Sequence, residues 1–266
     1  MFSYYGRKSK IVKHYPKPMF DKIIEPFAGS CAYSMVYFDK EVLLIEKYDI
    51  LVKLWNWLIN EATEKEILAL PSVVENDMIE KFDWLCQEEK WLMGFSLNRG
   101  SAQPKNKVKK FSDGWENVKK RIANDLHKIR HWKIIEGDYR DVENIEATWF
   151  IDPPYQFGGQ WYKHKNIDYK ELHDYCKNRN GQVIVCENTK ADWIELQPLV
   201  KIQGATNSNT TEAIWTNIKS NEQKPNSFEK TDVRWKKIKN ITANKDCAVT
   251  EQAPTPKPDE LGFTQS

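Results

Sequence analysis

Asp152-Pro153-Pro154-Tyr155 is the segment of this sequence best equipped for chemistry. It directly follows the apolar run 148–151, and two successive prolines cannot continue a strand's ladder because neither has an amide hydrogen. They also stiffen the backbone, so the flanking acid and phenol are presented rigidly. At the carboxyl edge of an open α/β sheet, that is where ligands bind. The Asp152 carboxylate and the Pro153 carbonyl are suited to accept the two hydrogens of an exocyclic amine such as that of adenine. The nitrogen lone pair, otherwise delocalised into the ring, is then turned toward an electrophile such as a methyl sulfonium. The Tyr155 ring offers a face for a base turned out of its stack. The competing reading is an Asp-capped turn that merely ends a strand. It loses weight because a buried-type strand precedes the motif and a nucleotide-type turn opens the chain.

That turn is Glu25-Pro26-Phe27-Ala28-Gly29-Ser30, after the short apolar run 22–25. Gly29 permits a tight bend and close approach of a ligand to the backbone. One glycine, where a dinucleotide fingerprint has three, suits a smaller cofactor with a zwitterionic amino-acid end. Glu46 ends the next apolar run, about 20 residues on, in position to hold two ribose hydroxyls. Gly137-Asp138-Tyr139 follows a third such run, and Asp138 is placed to accept a hydrogen bond from an adenine amino group. Each string alone is a common turn; their order carries the reading.

These groups need strands to hold them. Apolar runs at 22–27, 41–46, 132–136, 147–151, 181–188, 201–205 and 211–218 read as strands, with helical character at 31–38 and a charged helix near 168–180. Between the second and third runs the spacing becomes helical, with Leu51, Leu54, Trp55, Leu58 and Ile59, then Ile79, Phe82, Leu85 and Trp91, then an amphipathic stretch at 115–129. The expected organisation is a discontinuous catalytic α/β domain (1–49 and 134–220), a helical, basic target-recognition region (50–133), and a polar, Pro-rich tail (221–266) too poor in aliphatics to offset its ordering entropy.

Composition bounds the rest. The net charge is +2, too small to argue for nucleic acid by itself. The distribution says more: between residues 99 and 133 cations exceed acids by eight, among them Arg99, Lys105, Lys107, Lys109 and Lys110. The segment 156–165 carries two glycines, Trp161, Tyr162 and Lys163, and reads as a flap over an extruded base. The five cysteines are scattered without metal spacing, so neither a metal site nor a disulfide framework is expected. The start of the chain lacks the apolar run of a signal peptide and no stretch approaches a membrane span, which makes the cytoplasm the expected location.

Taken in order, these residues resemble the Dam-type DNA adenine N6-methyltransferases, over most of residues 1–218 and most closely at the two motifs of 25–30 and 151–155. The resemblance implies a Rossmann-like seven-stranded sheet, mostly parallel with a reversed final strand. It also implies S-adenosylmethionine as cofactor, DNA as partner and transfer to a flipped adenine by direct displacement. Asp152, Pro153, Pro154 and Tyr155 correspond to the family's catalytic motif. Cofactor contacts fall on Glu25, Phe27, Ala28, Gly29, Ser30, Glu46, Asp138, Tyr139 and Asp152. The family's Trp-Ala-Gly-Gly-Lys string is replaced by Tyr4-Tyr5-Gly6-Arg7-Lys8, with Tyr4 and Lys8 standing for the residues that touch the methionine end, while Arg7 replaces a glycine. DNA contacts fall on Arg99, Lys105, Lys107, Lys109, Lys110, Trp161 and Lys163. The family's usual target sequence does not carry over, because residues 95–100 depart from its recognition string; nor is a restriction endonuclease partner implied. Rival readings are transfer to cytosine N4 or to RNA, transfer to a protein glutamine, and a catalytically idle DNA-binding module of the same fold.

Overall fold

In the computed structural model, residues 1–98, 100–109, 114–203 and 209–218 are described. Arg99, Lys110 and the expected tail at 221–266 lie outside them. Seven strands form one sheet: β1 (Lys22–Glu25), β2 (Glu41–Glu46), β3 (Lys133–Glu136), β4 (Ala147–Ile151), β5 (Gly181–Asn188), β6 (Gln197–Gln203) and β7 (Asn209–Thr216). Their order across the sheet is β3-β2-β1-β4-β5-β7-β6. β7 runs antiparallel to both its neighbours and every other pairing is parallel. This is the seven-stranded, mostly parallel α/β sheet with a reversed final strand that the resemblance implied. The chain moves outward from β1 to β3, then returns to lay β4 on the other side of β1. The crevice beyond the carboxyl ends of β1 and β4 is therefore the topological switch point, where open α/β sheets bind ligands.

Side-chain alternation divides the sheet between two apolar layers. Phe150, Ile184 and Cys186 join Leu51, Trp55, Leu58, Ile122 and Leu126 on one face; Trp149, Ile151, Val183 and Val185 join Leu172, Tyr175 and Cys176 on the other. β4 is buried along its whole length, as a central parallel strand should be, whereas edge strand β3 exposes Lys133 and Glu136. The first layer is roofed by α1 (Asp49–Asn60), α2 (Glu64–Ala69), α3 (Gln87–Ser96) and α4 (Trp115–Ile129), the second by α5 (Tyr169–Lys177). In α4 the buried positions Trp115, Lys119, Ile122, Ala123, Leu126 and Ile129 follow the helical period. α2 opens on a reciprocal Thr63–Glu66 capping box, and Asp168 caps α5 by accepting from the amides of Lys170 and Glu171.

Two helical expectations are corrected. Residues 31–38 form a series of turns, not a helix. Cys31 has φ +50°, and the amide of Ser34 donates to the Glu25 carboxylate at 2.9 Å, so the helical ladder loses a rung at its start. The pattern Ile79 to Trp91 is also broken: a single 3-10 turn at Ile79–Lys81 precedes α3. Ile79 and Phe82 are buried by the turn, so their spacing reports packing rather than one continuous helix. Among the described residues no helix is long and apolar enough to cross a membrane and no cluster of metal-ligating side chains occurs.

Candidate active site

One cleft, enclosing about 1150 Å3 of space open to solvent, runs along the carboxyl ends of β3, β2, β1 and β4. Its lining includes Tyr4, Lys8, Glu25, Phe27, Ala28, Gly29, Ser30, Glu46, Asp138, Tyr139, Asp152 and Pro154, so residues spread over 150 positions meet in one cavity. Glu46 organises the turn after β1. One carboxylate oxygen accepts from the Gly29 amide at 3.0 Å, the other from the amides of Lys47 and Tyr48 at 3.0 and 2.9 Å. Gly29 has φ +50°, and a Cβ there would meet the Tyr4 ring at 3.4 Å. The turn thus lies between Tyr4 and Glu46, and its left-handed backbone, more than the space around it, is what favours glycine. Glu25 faces inward instead, accepting from the Ser34 amide and hydroxyl; burial pushes its carboxyl up to about 8.

At the β3 end, Phe27 and Tyr139 pack with ring centres 5.2 Å apart. Asp138 beside them is committed to Lys47 and Arg140, at 2.9 and 2.7 Å. Burial alone would raise its pKa, but these two cations hold it well below the usual carboxylate range. An adenine amine approaching Asp138 therefore joins an occupied acceptor rather than a free one.

At the β4 end, the Pro154 carbonyl accepts from the Tyr169 hydroxyl at 2.8 Å, whereas among the described residues no hydrogen bond reaches the Pro153 carbonyl. Lys8 is buried, with its ammonium 3.0 Å from Asp152 and 3.6 Å from Glu212. It also lies 4.4 Å from the centre of the Tyr155 ring. The Tyr15 hydroxyl donates to Glu212 at 2.6 Å, and so does the Tyr155 hydroxyl. Burial raises the Asp152 carboxyl to about 6 against the opposing pull of Lys8, with Glu212 adding to the rise. For Lys8, burial pushes the pKa down, but Asp152 and Glu212 more than reverse it and hold the ammonium above the ordinary lysine value. Lys8 thus lines the cleft beside the Gly29 turn and is paired there with the acid of the 152–155 motif. Arg7, the departure from the family string, lines the same cleft and leaves its Nε buried without a hydrogen-bond partner.

Residues 156–165 start from a fixed base. The Gln156 amide donates to Glu187 and its side chain pairs with Asp192, while Asn188 donates to the Phe157 carbonyl. The far end is latched to the chain's start: the Tyr162 hydroxyl donates to the Tyr5 carbonyl at 3.3 Å and the Tyr5 hydroxyl to the Gly158 carbonyl at 3.1 Å. The Tyr5 amide in turn donates to the Ser101 carbonyl at 3.2 Å, which joins the lysine-rich segment 100–109 to the same rim. Lys105, Lys107 and Lys109 are exposed on it, as are Trp161 (64%) and Phe157 on the flap, and Lys163 lines the cleft. The rest of the positive segment is largely spent inside the fold. Lys119 donates to the Leu70 carbonyl, Arg121 to the Met1 carbonyl, and Arg130 caps the end of α1 through Leu58 and Ile59; Lys128 pairs with Asp125.

Glu212, Tyr15, Tyr5 and Glu187 were not singled out from the sequence. Glu187 and Glu212 carried a signal nonetheless, each being an acid beside an apolar strand run, Val183 to Cys186 and Ala213 to Trp215. Tyr15 and Tyr5 carried none that distinguishes them from core aromatics.

No protein-family model matches the chain, and no curated protein matches it in sequence. Similar solved structures include a "conserved hypothetical protein" of Streptococcus pyogenes, 11% identical, covering 73% of this chain and 84% of that one, with a TM-score of 0.29. A "putative methylase" from Haemophilus influenzae is 12% identical, covering 74% and 80%, with a TM-score of 0.32. Neither likeness bears on the chemistry of the cleft.

Proposed function

We propose that this chain transfers a methyl group from S-adenosylmethionine to the exocyclic N6 amine of adenine in DNA. One observation carries the reading: a single cleft joins the Gly29 turn, the carboxylate of Glu46 and the ring pair Phe27–Tyr139 to Asp152 and Pro154, with the unengaged Pro153 carbonyl between those two residues in the chain. The residues present fit the cofactor. Phe27 and Tyr139 would take its adenine and Glu46 its ribose. The bend at Gly29, beside Tyr4, and the unpartnered Arg7 Nε would take its amino-acid end. When bound, the cofactor supplies an electrophilic methyl group.

The chain's part is to hold and orient the amine. Ionised Asp152 and the Pro153 carbonyl accept its two hydrogens, and Tyr155 supports the ring. Orientation of this kind replaces a bimolecular encounter with a near-attack arrangement. The product amine sheds a proton as the new bond forms, and the Asp152 carboxylate is the adjacent base. Hydrogen bonds through Tyr5 join the start of the lysine-rich segment to the flap, and its exposed lysines with Lys163 offer cations for a phosphate backbone.

The test is label transfer from tritiated cofactor to unmethylated plasmid DNA and, in parallel, to an RNA transcript, with the modified base identified by mass spectrometry. N6-methyladenine in the DNA is the expected product; label in RNA alone or on cytosine would replace the substrate assignment. Asp152→Ala is expected to lower transfer about a hundredfold or more while cofactor binding and melting temperature persist. Full activity in that variant would remove the acid from the mechanism.

A further inference from the structure

Lys8 stands where the proposed chemistry needs a target amine. Its ammonium donates to Asp152 at 3.0 Å and covers the Tyr155 ring at 4.4 Å from the ring centre. Those are the two contacts assigned to an adenine: hydrogens to the carboxylate and a ring over the phenol. The carboxylate could serve two donors, but an ammonium over the phenol face leaves no place there for a purine ring, so a stacked target has to displace Lys8.

The ammonium has another place to go. Glu212 on β7 is 4% exposed and lies 3.6 Å from Lys8 Nζ. The hydroxyls of Tyr15 and Tyr155 both donate to one of its oxygens, an arrangement that suits an ionised carboxylate fixed in place. We propose that Lys8 plugs the target slot on Asp152 and moves onto Glu212 when a base enters, which makes Glu212 a positioning residue for the reaction. The inference rests on reading the cleft as a methyl-transfer site. Without a second carboxylate, an entering base would leave a buried ammonium unpaired, among the costliest states a protein interior can hold. With Glu212 present the ion pair is exchanged rather than lost, and Asp152 is freed as an acceptor. Glu212 also holds the Tyr155 hydroxyl, so the ring is already fixed when its face is uncovered.

Two measurements on the full chain test this. With 15N-labelled lysine, a buried, ion-paired ammonium gives a protected N–H signal, assigned to Lys8 by its loss in Lys8→Arg. In Asp152→Asn that signal is expected to persist at a shifted position, because Glu212 still holds it; its disappearance would overturn the second berth. In steady-state transfer to unmethylated plasmid DNA, Glu212→Gln is expected to raise KM for DNA about tenfold, the effect of one lost charge-assisted contact. kcat and the cofactor's calorimetric affinity should stay within about twofold, and Glu212→Asp should recover part of the loss. An unchanged KM, or equal falls in kcat and cofactor affinity, would reduce Glu212 to a structural residue. If the wild-type chain methylates neither DNA nor RNA, the substrate reading is what fails. The labelled-lysine measurement then decides by itself whether Lys8 has two resting places.

Discussion

A carboxylate that must accept N–H hydrogens is useful only when ionised, and Asp152 is held near the edge of that condition. Burial lifts its carboxyl to about 6, with Glu212 adding to the rise and the Lys8 ammonium opposing it. The direction of the pH dependence follows. Below about pH 6 the acid is protonated, its hydrogen competes with those of the target amine, and kcat/KM should fall; above it the profile should level off. Lys8→Met removes the ammonium that favours the ionised form, so the acidic limb should move to higher pH. Single-turnover transfer measured across pH 5 to 9, values chosen to bracket the limb, is the check. A limb that stays in place, or moves toward acid, would mean that another group sets it. Little of this was legible from residue types. Asp152 announces itself through the two prolines that follow, but its partner Lys8 lies 144 positions away and Glu212 a further 60 in the other direction. A motif read along the sequence does not pair that lysine with that acid; the closed sheet does.

Among the elements, the flap after β4 rests on a contact that a single methyl group would break. Gly6 has φ +75°, and a Cβ there would lie 2.2 Å from the Tyr162 hydroxyl. Gly6→Ala therefore costs about 1–2 kcal/mol of backbone strain and also drives Tyr162 off the Tyr5 carbonyl. The expected result is faster tryptic cleavage after Lys163 and Lys165 under native conditions, with Tyr162→Phe showing a milder form of the same change. Equal cleavage rates in all three proteins would mean that the latch does not hold the flap. Element by element, the strands were readable because parallel strands buried on both faces appear as short apolar runs, and α4 because its apolar positions keep the helical period over four turns. Residues 31–38 were not readable, since the competitor that stops the helix is the Glu25 carboxylate, a tertiary partner for the Ser34 amide that no local pattern encodes. The reach of the cleft follows the same division: its strand-end acids were marked by position, while Arg140 and Lys47, which occupy Asp138, were not.

On the scale of the whole molecule, charge is the property that a sequence count most overstates. The positive segment between residues 99 and 133 holds an excess of eight, yet Lys119, Arg121 and Arg130 bond backbone carbonyls of the fold and Lys128 pairs with Asp125. Lys133 starts β3 and therefore stands at the end of the sheet opposite the cleft. Lys120 stays exposed on α4, and Lys105, Lys107 and Lys109 are exposed on the segment whose start, Ser101, is bonded through Tyr5 to the rim and to the flap that carries Lys163 and Trp161. If that rim tracks a phosphate backbone, its lysines release counterions on binding, and each lost contact should flatten the dependence of log affinity on log salt by roughly 0.9. The triple variant Lys105→Gln, Lys107→Gln, Lys109→Gln should thus bind non-specific duplex DNA more weakly, with a slope smaller by up to about 2.7, and with cofactor affinity unchanged. Lys133→Gln removes one charge of the same sign from the same stretch of sequence, but from the far end of the sheet, and its slope should match the wild type. Fluorescence anisotropy on a labelled duplex over a salt series separates the two. Slope losses in proportion to the charges removed, about 2.7 against about 0.9, would show that net charge and not the lysine segment drives the binding.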